Sequence, residues 1–309
     1  MSDARLPSGV FAACLTPFHT DGFIDHQAFV QHAHMLLESG CDGLLLFGTT
    51  GEGLSLTIDE RRDTLDALLE DGLPPEKLLV GTGALALPDT VHMTLHATRR
   101  GVGGVLIPPP FHYRDIATEG IFRAYDQLIQ RVGHPMLRLY FYHFPRLFGV
   151  SVPFDVIQRL IDAYPSQVAG IKDSSGEWDH TEALCTDFTD LQVFAGSERF
   201  LLPVLQAGGA GCISATANVT APLAAQVLKA WREGGNAAAV QETLTDVRTA
   251  FAPLPTIPAL KEILAQRHNA PSWATVRPPL VSLSDEDIDM LHDVVQLLTE
   301  TAPAHGSTA

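Results

Sequence analysis

The chain has 309 residues, 46% of them hydrophobic and 18% charged, enough for a sizeable core in one large domain or two smaller ones. A net charge of −16, with no local run of basic residues, excludes nucleic acid and anionic membranes as partners. Without a long apolar run, or a signal-peptide pattern in MSDARLPSGVF, we expect a cytoplasmic protein. The dispersed cysteines indicate reduced thiols and no metal site: Cys14, Cys41, Cys185 and Cys212.

Short apolar runs alternate with segments of helical periodicity. The predicted strands, in chain order, are GVFAACLTPF, GLLLFG, KLLVGTG, GGVLIPPPF, MLRLYFYHFP, QVAGIKDS, LQVFAGS and AGCISATAN. Helices are predicted between them, among them Asp25 to Gly40, one opened by a capping box of Thr57 and Glu60, and one with Pro153 in its first turn. Eight strand–helix units in about 235 residues predict a (β/α)8 TIM barrel.

From residue 236 onward the pattern is helical: AAAVQETLTDVRTAF, PALKEILAQRH and SDEDIDMLHDVVQLLTE are separated by proline-rich breaks. We therefore predict a barrel over residues 1–235 that contains the active site, and a C-terminal helical extension over residues 236–309 packed on it. The final TAPAHGSTA is predicted to be disordered. The alternation also permits an open doubly wound sheet, but eight regular units favour closure.

The active site of such a barrel lies at the carboxyl ends of the strands. There, Gly48-Thr49-Thr50-Gly51-Glu52 forms a glycine-flanked turn whose backbone N–H groups could hold a carboxylate. It is neither a phosphate-binding P-loop nor a dinucleotide-binding motif, because the glycine spacing and the following residues differ. The alternative is an ordinary tight turn between a strand and a helix.

Lys172 ends the apolar run VAGIK, and a lysine among apolar walls has a lowered pKa and becomes an amine nucleophile. The alternative is a salt bridge to Asp173 or Glu177. Tyr142 ends the preceding strand and could transfer protons, or else be an aromatic core residue. A lysine, a phenol and a carboxylate-binding turn at different strand ends are together what Schiff-base chemistry on a 2-keto acid requires.

The sequence resembles the dihydrodipicolinate synthase / N-acetylneuraminate lyase family of pyruvate-dependent class I aldolases. The matching motifs cover roughly residues 8–300: GTTGE from Gly48, Tyr142-x-x-Pro145 with Gly149, Gly170-Ile171-Lys172-Asp173, and Gly208 to Asn218 with its ISATAN ending. The resemblance implies a TIM barrel with C-terminal helices and a homotetramer. It also implies that Lys172 forms the Schiff base, that Tyr142 relays protons, and that Thr49 and Thr50 bind the substrate carboxylate and join the relay, with no metal or other cofactor.

Departures from the family pattern concern the substrate. Synthases of the lysine pathway carry an arginine that binds the carboxylate of the aldehyde substrate. This chain has Leu147 at that position, and its arginine, Arg146, lies one place earlier. A leucine at this position resembles the neuraminate lyases of the family. Leucine cannot replace the bidentate contact between an arginine and a carboxylate, and this difference argues against a role in the lysine pathway. In the family, the proton relay also includes a tyrosine from the neighbouring subunit. In this chain His112 aligns with that tyrosine, and the alternative is that the loop is shifted by one residue and Tyr113 takes the role.

Further candidates surround the expected pyruvate. Glu198 and Arg199 stand where sugar-acid members contact substrate hydroxyls. The alternatives are that Arg199 pairs with an acidic group at the far end of the substrate, or that both residues are ordinary charges in the first turn of a helix. Ser214 is a similar candidate, and Gly196 and Ile213 are expected to make close backbone contacts. We expect an aldolase that reversibly cleaves a 2-keto-3-deoxy sugar acid to pyruvate and an aldehyde. The alternatives are condensation of pyruvate with aspartate semialdehyde, dehydration of a keto-deoxy acid through the same lysine, and a catalytically silent barrel.

Overall fold

Eight short runs of aliphatic and aromatic residues form parallel strands in the computed structural model, which describes residues 6–302. The strands are β1 (Gly9–Ala13), β2 (Gly43–Leu46), β3 (Leu78–Gly81), β4 (Gly104–Ile107), β5 (Leu139–His143), β6 (Val168–Asp173), β7 (Gln192–Ala195) and β8 (Gly211–Ser214). Each pairs with its neighbours in chain order, and β8 closes on β1. The predicted TIM barrel is therefore confirmed, and the alternative of an open sheet is wrong.

The helices of residues 6–302 follow the predicted alternation. They are α1 (His26–Glu38), α2 (Ile58–Glu70), α3 (Leu87–Arg99), α4 (Thr118–Val132), α5 (Pro145–Phe148), α6 (Phe154–Ala163), α7 (Trp178–Asp187), α8 (Leu201–Gln206), α9 (Ala217–Glu233), α10 (Ala237–Ala250), α11 (Thr256–His268) and α12 (Asp285–Glu300). Four short 3-10 turns lie between them, at Gly53–Ser55, Pro75–Lys77, Glu198–Phe200 and Pro271–Ala274.

Side chains of each strand point alternately to two separate apolar clusters. One cluster fills the barrel interior and includes Tyr140, Tyr142 and Phe194, whereas the other lies between barrel and helices and includes Phe141 and Ile171. Strands that are buried on both faces need apolar residues at every position, which explains their continuous apolar runs. The period of two thus decides which residues reach the interior.

The starts of three helices show where the predictions from local sequence agree with the structure and where they differ from it. The side chain of Thr57 accepts from the N–H of Glu60, whose carboxylate accepts in return, so the predicted capping box is confirmed. Pro153 precedes α6 as its cap and does not lie in its first turn. Helix α9 begins at Ala217, so the last two residues of the predicted strand AGCISATAN belong to the helix instead.

The C-terminal helices α10 and α11 pack against α9, and α12 packs against α10 and α11. Their buried side chains, such as Phe251, Leu260 and Val294, belong to the apolar cluster between the barrel and its helices. The division into units at residue 235 stays a prediction. Of the tail that was predicted to be disordered, residues 303–309 lie outside the described residues.

The cysteines are free and buried, as predicted. Burial raises the pKa of the Cys41 thiol to about 12, so the thiol is protonated and unreactive at neutral pH. In the described part of the chain, no helix combines the length and the apolar character needed to cross a membrane.

Asn218 joins the two strands that close the barrel. Its Oδ1 accepts from the N–H of Leu15, 3.2 Å away, and from Nε2 of His32, 2.8 Å away. Its Nδ2 donates to the carbonyls of Ala13 and Ala215, each at 2.7 Å. One buried amide therefore satisfies main-chain groups after β1 and after β8, which explains the structural use of the ISATAN motif.

We expect Asn218→Ala to lower the free energy of unfolding by about 3 kcal/mol, because it leaves buried backbone groups without partners. Urea unfolding measures this change. Asn236→Ala is the matched control: Asn236 only caps α10 at the surface, and its loss costs about 1 kcal/mol. Equal losses in the two variants would contradict the role assigned to Asn218.

Candidate active site

Lys172 lies near the carboxyl end of β6 with its side chain inside the barrel and only 5% exposed. Its Nζ lies 4.8 Å from the centre of the Tyr142 ring, and Tyr142 is its register partner on β5. Burial among apolar side chains lowers the pKa of Lys172 to about 7, an effect that the Cys212 thiolate would oppose. The amine is therefore available as a neutral nucleophile near neutral pH.

The alternative of a salt bridge at Lys172 is wrong. Asp173, the next residue on the strand, points outward and accepts hydrogen bonds from the hydroxyl of Thr181 at 2.7 Å and the N–H of Ser175 at 2.9 Å. Glu177 is exposed at the start of α7. Within residues 6–302, no carboxylate forms an ion pair with Lys172.

Tyr142 connects the lysine to the turn after β2. Its hydroxyl lies 3.2 Å from Oγ1 of Thr49, close enough for a hydrogen bond in either direction. Burial raises the pKa of Tyr142, while hydrogen bonds with Thr49 and Ser174 lower it. The phenol thus stays protonated at neutral pH and lies between the amine and the turn, as a proton donor must.

The turn from Gly48 to Glu52, hereafter the Thr-Thr turn, is packed tightly against the neighbouring strands. A Cβ on Gly51 would lie 2.7 Å from the carbonyl oxygen of Cys14, so only glycine fits there. The hydroxyl of Thr16 donates to the carbonyl of Gly51 at 2.7 Å. Thr50 is buried beside Thr49, and these contacts hold both threonines at the barrel mouth.

Sequence reasoning did not identify what anchors this turn. Glu52 has a left-handed backbone (φ 53°), and its buried carboxylate accepts from Nζ of Lys261 and from the N–H of Arg277, 2.8 Å away. The ammonium and the carboxylate attract each other, but desolvation is the larger effect and lowers the pKa of Lys261 to about 8. A lysine within the apolar stripe of PALKEILAQRH, beside Leu260 and Leu264, was the signal in the sequence.

Ile213 and Gly196 lie beside the barrel interior, and their contact with pyruvate stays a prediction. Ile213 on β8 is fully buried in the interior cluster. Gly196 follows β7, and a Cβ there would come within 2.2 Å of the Ser174 hydroxyl, so its backbone lies close to β6. Both positions therefore adjoin the barrel interior that contains Lys172.

Glu198 and Ser214 do not reach that interior, which corrects the prediction that they contact the substrate. Because Ile213 points inward, Ser214 points outward, where its hydroxyl lies 3.0 Å from that of Thr216. Glu198 is fully buried behind the barrel wall and accepts from the hydroxyl of Thr220 at 2.8 Å. Burial raises the pKa of Glu198, and these hydroxyl groups oppose the rise.

The remaining candidates lie on exposed loops. Arg146 and Leu147 are exposed in α5, and Arg199 is exposed beside the ring of Phe200. His112 is exposed on the loop after β4, with its ring against that of Tyr113. In this single chain none of them adjoins Lys172 through a hydrogen bond or an ion pair.

Phe148 is a neighbour of the site that the sequence pattern did not indicate. Its buried ring packs edge-on against Tyr142, with 5.2 Å between centres, and lies 5.3 Å from that of Phe111. These rings restrict the orientation of the Tyr142 phenol and reduce the access of water to it.

One cluster of His and Asp side chains in residues 6–302 has ligand atoms within 4.8 Å of one another: His143, Asp173 and His180. The two imidazole rings are stacked, with centres 4.3 Å apart and planes 16° apart, so their lone pairs cannot converge on one ion. Nδ1 of His180 lies 3.0 Å from Oδ2 of Asp173. Burial lowers the pKa of His143 to about 4, so its ring is neutral and supports β5 and β6 from outside.

Comparison with known proteins places this barrel in a family. The sequence profile of the dihydrodipicolinate synthetase family matches residues 6–298. The chain belongs to that family. It is 34% identical over 302 residues to an uncharacterized DapA-like lyase of Chloroflexus aurantiacus, covering 96% of this chain and 99% of that protein. Members of the family are class I lyases and aldolases, and this chain is accordingly an enzyme of that class.

Two solved structures show the same architecture. Dihydrodipicolinate synthase from Agrobacterium tumefaciens has 31% identity and a TM-score of 0.84, with 94% of this chain and 99% of that chain covered. YagE of Escherichia coli, a prophage protein of the dihydrodipicolinic acid synthase family solved in complex with pyruvate, has 25% identity and a TM-score of 0.85. That match covers 94% of this chain and 98% of YagE.

Because the pKa of Lys172 is about 7, its reactivity should change in a pH range where ordinary lysines do not titrate. We expect its acylation by a small neutral reagent to rise as the pH increases through about 7, where the neutral amine becomes the major form. Peptide mass spectrometry after brief labelling measures this rise. Labelling that increases only near pH ~10.4, as in an unfolded chain, would contradict it.

Proposed function

We propose that the protein is a cytoplasmic class I aldolase that joins or splits pyruvate and an aldehyde through a Schiff base on Lys172. The observation that carries this proposal is a buried lysine amine that has no ion-pair partner among residues 6–302 and lies beside the ring of Tyr142, whose hydroxyl is 3.2 Å from that of Thr49. A buried lysine is ordinarily paired with a carboxylate, as Lys261 is with Glu52.

In the cleavage direction, the neutral amine of Lys172 attacks the ketone carbon of a 2-keto acid and forms a carbinolamine. Tyr142 donates a proton to the departing hydroxyl, water leaves, and the iminium forms. The Tyr142 phenolate left by this step then takes the proton of the C4 hydroxyl, the C3–C4 bond breaks to release the aldehyde, and the iminium accepts the electrons of that bond. Protonation of the resulting enamine and addition of water release pyruvate and restore the amine.

The Thr-Thr turn holds the carboxylate of the 2-keto acid in this proposal. Thr49 is hydrogen-bonded to Tyr142, so the same hydroxyl pair that orients the substrate also conducts its proton. The iminium is itself the electron sink, and the reaction therefore needs neither a metal ion nor an organic cofactor.

We propose that the substrate is a 2-keto-3-deoxy sugar acid, and that the aldehyde is the product released with pyruvate when this acid is cleaved. Leu147 occupies the position at which the lysine-pathway synthases carry an arginine. Its side chain has no group that binds the carboxylate of aspartate semialdehyde. With Glu198 and Ser214 directed outward, Arg199 and Arg146 remain as predicted polar contacts at the surface. Condensation with aspartate semialdehyde is the second candidate, because the relative from Agrobacterium tumefaciens is a dihydrodipicolinate synthase.

We also propose a homotetramer. The loop after β4 exposes Tyr113, with 70% of its surface accessible, and His112 beside it. The family resemblance implies that this place supplies a residue to the site of a neighbouring subunit. A neighbouring subunit that receives this loop could obtain either Tyr113 or His112 for its proton relay. The oligomeric state in solution and the catalytic effects of Tyr113→Phe and His112→Ala distinguish these two residues.

Incubation with pyruvate and borohydride tests the proposed chemistry. We expect a mass increase of one reduced pyruvyl group on Lys172, because borohydride reduces the iminium to a stable amine. Lys172→Ala should lose the adduct and essentially all lyase activity, whereas Lys229→Ala, at an exposed lysine of α9, should keep both. A wild-type protein that gains no adduct would refute the mechanism and leave a catalytically silent barrel.

A panel of substrates identifies the aldehyde. We expect pyruvate release from 2-keto-3-deoxy sugar acids, and little condensation of pyruvate with aspartate semialdehyde, because Leu147 cannot pair with its carboxylate. Measurement of pyruvate release, of dehydrated product and of condensation on one enzyme preparation separates aldolase, dehydratase and synthase. Turnover with aspartate semialdehyde alone would refute the interpretation of Leu147.

A further inference from the structure

A buried ion pair connects the C-terminal helices to the Thr-Thr turn. Nζ of Lys261 on α11 donates to Oε1 of Glu52, and both side chains are enclosed, with 0% and 1% exposed. The same Nζ donates to the carbonyl of Thr275 at 2.7 Å and lies 4.2 Å from the centre of the Phe18 ring. Oε2 of Glu52 accepts from the N–H of Arg277, so both carboxylate oxygens are occupied by the C-terminal part of the chain.

Such a pair is an inefficient way to stabilise a fold. Removal of an ammonium and a carboxylate from water costs free energy that their attraction repays only in part, and an apolar pair of the same shape often does as well. The pair differs from apolar packing in one respect: hydrogen bonds with fixed directions hold Glu52 in one position. Glu52 needs such bonds because its left-handed backbone is strained for a residue other than glycine.

The position of Glu52 in turn sets that of the catalytic hydroxyl groups. The N–H of Glu52 donates to the carbonyl of Thr49 at 3.0 Å, and this hydrogen bond closes the turn. The Thr49 hydroxyl lies 3.2 Å from that of Tyr142. A continuous series of hydrogen bonds therefore runs from Lys261 on α11 through the Thr-Thr turn to the phenol beside Lys172.

We propose that Glu52 and Lys261 are positioning residues for the substrate carboxylate, so that the C-terminal extension is a working part of the active site. This inference rests on the proposed function, because it assumes that the Thr-Thr turn binds the carboxylate of pyruvate. Without the ion pair the turn relaxes, Thr49 moves away from Tyr142, and pyruvate binds less tightly. The Schiff-base amine lies on another strand and keeps its reactivity.

The experiment measures borohydride trapping as a function of pyruvate concentration. We expect Glu52→Gln and Lys261→Met each to raise the pyruvate concentration for half-maximal trapping about tenfold or more, because small displacements of a binding group are costly. Trapping at saturating pyruvate should stay near the wild-type level. Lys261→Arg, which retains the positive charge, should recover part of the loss.

Leu264→Ala is the matched control. Leu264 lies one turn after Lys261 on α11 and is buried in the apolar cluster between the barrel and its helices. Its truncation leaves a cavity and should lower the melting temperature, but the half-saturating pyruvate concentration should match the wild type. If Lys261→Met does not fold, Glu52→Gln decides, because it preserves the size of the side chain.

The outcomes separate the two proposals. A wild-type protein without an adduct refutes the proposed function. A wild-type adduct, together with folded Glu52→Gln that has an unchanged half-saturating pyruvate concentration, overturns the positioning role alone. A rise of the same size in Leu264→Ala also overturns it, because general loosening of α11 would then explain the effect.

Discussion

Removal of the Lys172 amine from water is the constraint on which the rest of the site depends. The closed barrel surrounds this side chain with apolar and aromatic groups and provides no carboxylate partner among the described residues. A charged ammonium is costly in such surroundings, and the pKa of Lys172 falls to about 7. The same core that stabilises the fold therefore creates the nucleophile.

Two lysines are buried in the described part of the chain, and their different surroundings illustrate this point. Lys261 has a carboxylate partner, and it lies between the C-terminal helices and the turn after β2. Lys172 has none and faces the phenol of Tyr142. Pairing makes one lysine structural and positioning, whereas its absence leaves the other with an amine that can react.

Prediction from sequence was accurate for features that the local pattern of residues determines, such as strands and caps. It was inaccurate for the direction in which individual side chains point. The strands, the capping box at Thr57 and the clustering of Thr49 with Tyr142 were predicted, because periodicity and strand order place them. The substrate contact assigned to Ser214 was wrong, because a shift of one residue along a strand moves a side chain to the other face. The contact assigned to Glu198 was wrong because the 3-10 turn after β7 directs its carboxylate to the Thr220 hydroxyl on α9. Nothing local distinguishes the two faces of a strand that is apolar on both.

By itself the sequence determined the alternation of strands and helices, the presence of a lysine, a tyrosine and two threonines at strand ends, and the resemblance to a family of lyases. These features depend on periodicity and short motifs, which are local properties of the chain. Only the tertiary structure decided that Lys172 is unpaired, that Glu52 is bound by Lys261 across 209 positions, and that Glu198 lies behind the barrel wall. Desolvation and pairing depend on what the folded chain brings together, and no local pattern contains that information.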